Sequence, residues 1–74
     1  MREPIHVECY SGHTYAQEPR MIVWHGFRVP VVKIQRSWRT PIGPAFRVSL
    51  ETGIVVDLFF DESNNRWLIS SRAS

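Results

Sequence analysis

The chain has 74 residues, nine Lys or Arg against seven Asp or Glu, and 43% apolar residues that include three Trp, four Phe and two Tyr. A chain of this length makes one domain, residues 1–74, whose thin core buries only about 60% of the unfolded surface, and so aromatic a composition excludes a disordered tail. One cysteine, Cys9, excludes an intrachain disulfide, and no apolar run reaches the length of a membrane helix.

Two-residue alternation of apolar and polar side chains dominates, so the predicted elements are strands. Ile5, Val7 and Cys9 alternate with His6, Glu8 and Tyr10 and form the first. Ser11-Gly12 breaks it, and a loop runs to Pro19 in which Ala16-Gln17-Glu18 has room for one helical turn. Met21 to Trp24 and Phe27 onward flank His25-Gly26, a two-residue hairpin connection. That turn pairs Trp24 with Phe27 and Ile22 with Val29, all four on one face.

The third strand changes phase. Phe27, Val29 and Val31 lie on one face, whereas Val32, Ile34 and Trp38 follow the other parity. A β-bulge at Val31-Val32 restores one apolar face, and Pro30 marks an edge or a bend. Thr40-Pro41-Ile42-Gly43-Pro44 is expected as a loop.

Phe46, Val48 and Leu50 alternate, as do Ile54, Val56, Leu58 and Phe60. A three-residue loop, Glu51-Thr52-Gly53, keeps both sets on the inner face. It pairs Leu50 with Ile54, Val48 with Val56 and Phe46 with Leu58, and sets Arg47 against Asp57 outside. Asp61 to Arg66 forms the last turn, its acids read as solvated. Phe60 then pairs with Trp67 and Leu58 with Ile69, and Ser70 to Ser74 is expected to fray. The expected fold is all-β: about six short antiparallel strands in a meander that curls into a small barrel or half-barrel.

Charge is segregated. From Pro19 to Leu50 there are six basic residues and no acid, and from Glu51 to Glu62 four acids and no base. Such a division either marks an anion-binding face or lets two neighbouring halves neutralise each other. Eight of the nine basic residues are Arg, whose planar fork suits phosphate. Trp24, Phe27, Trp38 and Phe46 interleave with the basic window, the pattern of small barrels that hold single-stranded nucleic acid. Most of these aromatics belong to the inner face. Trp38, beside Arg36 and Arg39, is either an exposed contact or a cap on the barrel.

Other chemistry is poorly supported. His6, Cys9, His13 and His25 are zinc-ligand types, but the paired short spacings of zinc sites are missing and His6 and Cys9 point to opposite strand faces. Cys9 reads better as a small buried apolar residue. Cys9 with His13 has no orienting acid for nucleophilic chemistry. No catalytic residue, metal or cofactor is therefore expected.

Cys9-Tyr10-Ser11-Gly12, Thr14-Tyr15-Ala16 and Pro19-Arg20, with Trp38, Phe46-Arg47-Val48, Gly53, Asp61 and Trp67, resemble an uncharacterised family of small bacterial proteins. The resemblance spans nearly the whole chain and implies no activity. The back half also resembles, more loosely, a C-terminal module of some Y-family DNA polymerase-like proteins, which would imply DNA or a replication or repair protein as partner. The loop from Tyr10 to Arg20 is long for so small a protein and is either functional or a lid over a barrel end.

The expectation is a non-catalytic binding module that contacts single-stranded DNA or RNA through Arg28, Lys33, Arg36, Trp38, Arg39 and Arg47. The alternative is a protein-interaction module or homodimer that uses a strand edge and an apolar patch. A lone cysteine and an opening, Met1-Arg2-Glu3-Pro4, without an apolar stretch lead to a cytoplasmic expectation.

Overall fold

A computed structural model describes residues 2–9 and 18–71, apart from the side chains of Cys9 and Ser71. Six antiparallel strands run in chain order: β1 (Glu3–Cys9), β2 (Pro19–Trp24), β3 (Phe27–Thr40), β4 (Gly43–Leu50), β5 (Val55–Asp61) and β6 (Arg66–Ser71). They close into a barrel in the order β1-β2-β3-β4-β5-β6. Among the described residues no helix is long and apolar enough to cross a membrane.

Closure depends on two strands, β1 and β3, that divide along their length between their two neighbours. Glu3 to Ile5 pair with β6, whereas His6 to Cys9 pair with β2. Phe27 to Pro30 pair with β2, whereas Val31 to Thr40 pair with β4. Pro30 thus sits at the changeover in the long β3, where its missing N–H costs least. Ile22, Val48, Leu50, Val56, Leu58 and Ile69 fill the interior with Phe46 and Trp67, whose ring centroids lie 5.9 Å apart.

The hairpin registers follow the alternation. Trp24 pairs with Phe27 and Ile22 with Val29, around a turn in which His25 and Gly26 both have positive φ, 52° and 81°. That is the type I′ geometry, whose twist matches the strands. Phe46 faces Leu58, Arg47 faces Asp57 and Val48 faces Val56. The amide of Leu50 donates to the carbonyl of Ile54 at 2.8 Å, with Gly53 at φ +91°. Phe60 faces Trp67 and Leu58 faces Ile69.

Several expectations need correction. The β3–β4 connection is only Pro41-Ile42, because Thr40 and Gly43 already pair. The Thr40 hydroxyl donates to the Gly43 carbonyl at 2.7 Å and accepts from the Ile42 and Gly43 amides. Gly43 has φ +149°, and a Cβ there would collide with the Phe60 carbonyl oxygen and Glu62. Ser70 and Ser71 do not fray: they pair with Asp57 and Val56. Phe27 and Ile54 close their hairpins in the expected register but are 73% and 45% exposed, since each sits where the barrel ends. Asp61 is buried, not solvated. The expected helical turn at Ala16-Gln17-Glu18 lies mostly outside the described residues, and Glu18 itself is in no helix.

The most consequential correction lies in β3. The expected bulge is present, with Val31 opposite Leu50 and Lys33 opposite Ser49, so Val32 is the extra residue. A second bulge comes next, with Ile34 opposite Val48 and Arg36 opposite Arg47, which leaves out Gln35. The Gln35 amide donates to the Ser49 hydroxyl at 2.6 Å, a clasp onto β4. Each bulge reverses the parity of the strand residues beyond it. Ile34 faces inward, but Arg36 and Trp38 are turned outward.

Candidate nucleic-acid interface

Trp38 neither caps the barrel nor joins its interior. It pairs with Ala45, on the outer face, and one continuous row crosses the sheet there: Trp38, Ala45, Phe59, Leu68 and Pro4. Ala45 has no accessible surface, and its small side chain lets the Trp38 ring reach Phe59 two strands away. The two rings meet edge to face, with centroids 6.2 Å apart and an interplanar angle of 88°. Ala45, Phe59 and Leu68, with Trp38 and Ile42 packed against them, form a small second core outside the barrel. Trp38 is half-buried at its border.

The adjacent row carries charge: Arg36, Arg47, Asp57 and Ser70 lie side by side across β3, β4, β5 and β6. The Arg36 guanidinium carbon lies 5.5 Å from the Trp38 ring centroid and that of Arg47 5.8 Å. Both distances fall within cation–π range. Arg47 donates its Nε–H to Oδ1 of Asp57 at 3.0 Å, a largely buried pair with side chains 27% and 13% exposed. No ion pair holds Arg36 among the described residues. Arg36 and Arg47 are therefore direct cross-strand neighbours, a like-charge juxtaposition that costs stability in a bare sheet.

The remaining predicted residues are dispersed. Arg28 bonds Glu8 at 2.9 Å and the Met21 sulfur at 3.1 Å. Arg39 donates to both carboxylate oxygens of Glu62, at 3.0 and 3.1 Å. Lys33 is exposed on the outer face opposite Ser49. The segregated charges are thus partly neutralised within the fold. Arg39–Glu62 and Arg47–Asp57 join the basic and acidic halves, yet Arg36 stays outside that neutralisation.

Sequence reasoning missed Arg2. Its guanidinium carbon lies 3.9 Å from the Phe59 ring centroid, beside the Trp38 contact. Only the pairing of β1 with β6 brings it there, and no short-range pattern encodes that closure. For the metal reading, Cys9's side chain and His13 fall outside the described part, and no group of three or more His, Cys, Asp or Glu gathers among the described residues. The loop from Tyr10 to Arg20 likewise lies mostly outside it. No protein-family model, curated protein or solved structure matches the chain.

Proposed function

We propose that this barrel is a non-catalytic module that binds single-stranded nucleic acid, with Trp38 as the base platform and Arg36 and Arg47 as the phosphate contacts. The observation that carries this reading is the cluster on the outer face of β3 and β4: two cross-strand arginines whose guanidinium carbons lie within 5.8 Å of one half-buried indole. A phosphate between facing arginines would relieve their repulsion, and the indole beside them offers a π-surface to an unstacked base. Lys33 extends the positive face along β3, while Arg28 and Arg39, held by Glu8 and Glu62, lie at its margins. The partner is then a single strand, presented in the cytoplasm alone or by a replication or repair protein.

The test is a fluorescence-anisotropy titration with labelled single-stranded DNA and RNA at two salt concentrations. Trp38→Ala is expected to lose about 1–3 kcal/mol with little change in salt slope, as for a lost stack. Arg36→Ala is expected to weaken binding to every sequence and lower the salt slope by about one. Arg66→Ala, on the acidic turn, serves as the control and should bind as the parent does. If the parent binds neither polymer at low salt, the reading falls.

A second reading, a protein-interaction module or homodimer, is favoured by the opposite feature of the surface. Phe27 and Ile54 expose apolar area at one end of the barrel, beside a groove lined by Phe27, Arg28, Val29, Pro30, Glu51 and Thr52. Mass that rises with concentration, with no nucleic-acid affinity, would transfer the assignment to that end.

A further inference from the structure

We infer that Asp57 is a positioning residue of the phosphate site, acting through Arg47. This deepens the nucleic-acid reading and rests on it. An acid within an anion site is expected on charge alone to weaken binding. The geometry points the other way. Asp57 engages Arg47 through Nε only, at 3.0 Å. An arginine carries five N–H donors in a fixed plane. Held at Nε, the guanidinium of Arg47 is fixed in place against β5 with its four terminal N–H bonds still able to meet a ligand. The same contact keeps it 5.8 Å from the Trp38 centroid. Asp57 is 13% exposed and Arg47 27%, so packing limits the freedom of both.

Asp57 also makes the like-charge pair tolerable. Arg36 and Arg47 are direct cross-strand neighbours, and Asp57 is the next residue along that row. A carboxylate next to the two arginines along the row lessens their repulsion. Without Asp57, Arg47 is free to swing away from Arg36. A ligand would then have to re-order a long side chain and hold two repelling groups together.

The experiment compares Asp57→Ala and Asp57→Asn with the parent by anisotropy titration against a labelled single-stranded oligonucleotide, with melting followed by circular dichroism. Asp57→Ala is expected to bind about 3- to 10-fold more weakly, the scale of re-ordering one long side chain, although it removes a negative charge. Asp57→Asn keeps an oxygen to accept from Nε and should bind at least as tightly as the parent. In an Arg47→Ala background, Asp57→Ala should cause no further loss, because the effect passes through Arg47. Folded Asp57→Ala that binds as tightly as the parent, or more tightly, overturns the inference and leaves the nucleic-acid reading standing. So does weakened binding of Asp57→Asn equal to that of Asp57→Ala. A parent that binds no oligonucleotide overturns both.

Discussion

Asp61 shows how much one side chain does in so thin a structure. It ends β5 and organises the turn into β6. Its Oδ1 accepts from the Ser63 and Asn64 amides at 3.1 and 3.3 Å, and its Oδ2 accepts from the Asn64 side chain at 2.8 Å. Arg66 lies 3.5 Å away, and Asn65 takes the left-handed conformation that completes the turn. The Asn64 side-chain bond holds the carboxyl below its ordinary pKa, opposed by burial and aided by the backbone amides and Arg66. A carboxyl whose pKa is lower folded than unfolded stabilises the fold above its unfolded value of about 3.9 and loses that contribution as pH falls through the folded value. Asp61→Asn should therefore be less stable than the parent near neutral pH, with a gap that narrows in acid. Melting curves at neutral and strongly acidic pH check this, and a gap that widens in acid would contradict the assigned direction.

At the scale of the element, β3 decides what the outer surface contains. Its two bulges sit close together in a strand with no turn between Phe27 and Thr40. The first, at Val32, brings Ile34 inward; the second, at Gln35, sends Arg36 and Trp38 outward. Deletion of Gln35 should return Arg36 and Trp38 to the inner parity. Arg36 would then meet the interior without an acid, at a cost of about 3–5 kcal/mol for an unpaired buried charge. The deletion variant is expected to unfold at a much lower denaturant midpoint and to lose the outer cluster. An unchanged midpoint would mean that the bulge does not set the facing of these residues. The β4–β5 hairpin is less subtle, since its register comes from alternation and a Gly53 turn.

For the whole molecule, stability rests on a small interior backed by a thin outer apolar layer. Leu58 is fully buried at its centre, paired with Phe46 on one side and Ile69 on the other. Leu58→Ala should cost about 2–5 kcal/mol through lost transfer energy and an unfilled cavity. A domain of this length has roughly 4–11 kcal/mol of stability in all, so the variant should unfold at a far lower denaturant concentration, or fail to fold. An unchanged midpoint would remove Leu58 from the core. The outer core of Ala45, Phe59 and Leu68 gives the barrel a second apolar layer and fixes the platform on which Trp38 stands.

The amino-acid order determined by itself whatever depends on neighbours in the chain. Alternation marks the strands. His25-Gly26 and Glu51-Thr52-Gly53 impose their hairpin registers, and with them Arg47 opposite Asp57 and Leu58 in the core. These contacts span few residues, so local turn chemistry and the two-residue side-chain period suffice. The tertiary structure alone decided the rest. Trp38 faces outward because a second bulge costs less than seating Arg36 inside, a comparison made only once β4 lies alongside. Alternation also placed Ile54 inside, yet it remains exposed because no strand covers the end of the barrel there. Arg2 reaches Phe59 only when β1 closes on β6. The proposed contacts come together through the pairing of β3, β4 and β5, and barrel closure only adds Arg2 against the neighbouring Phe59.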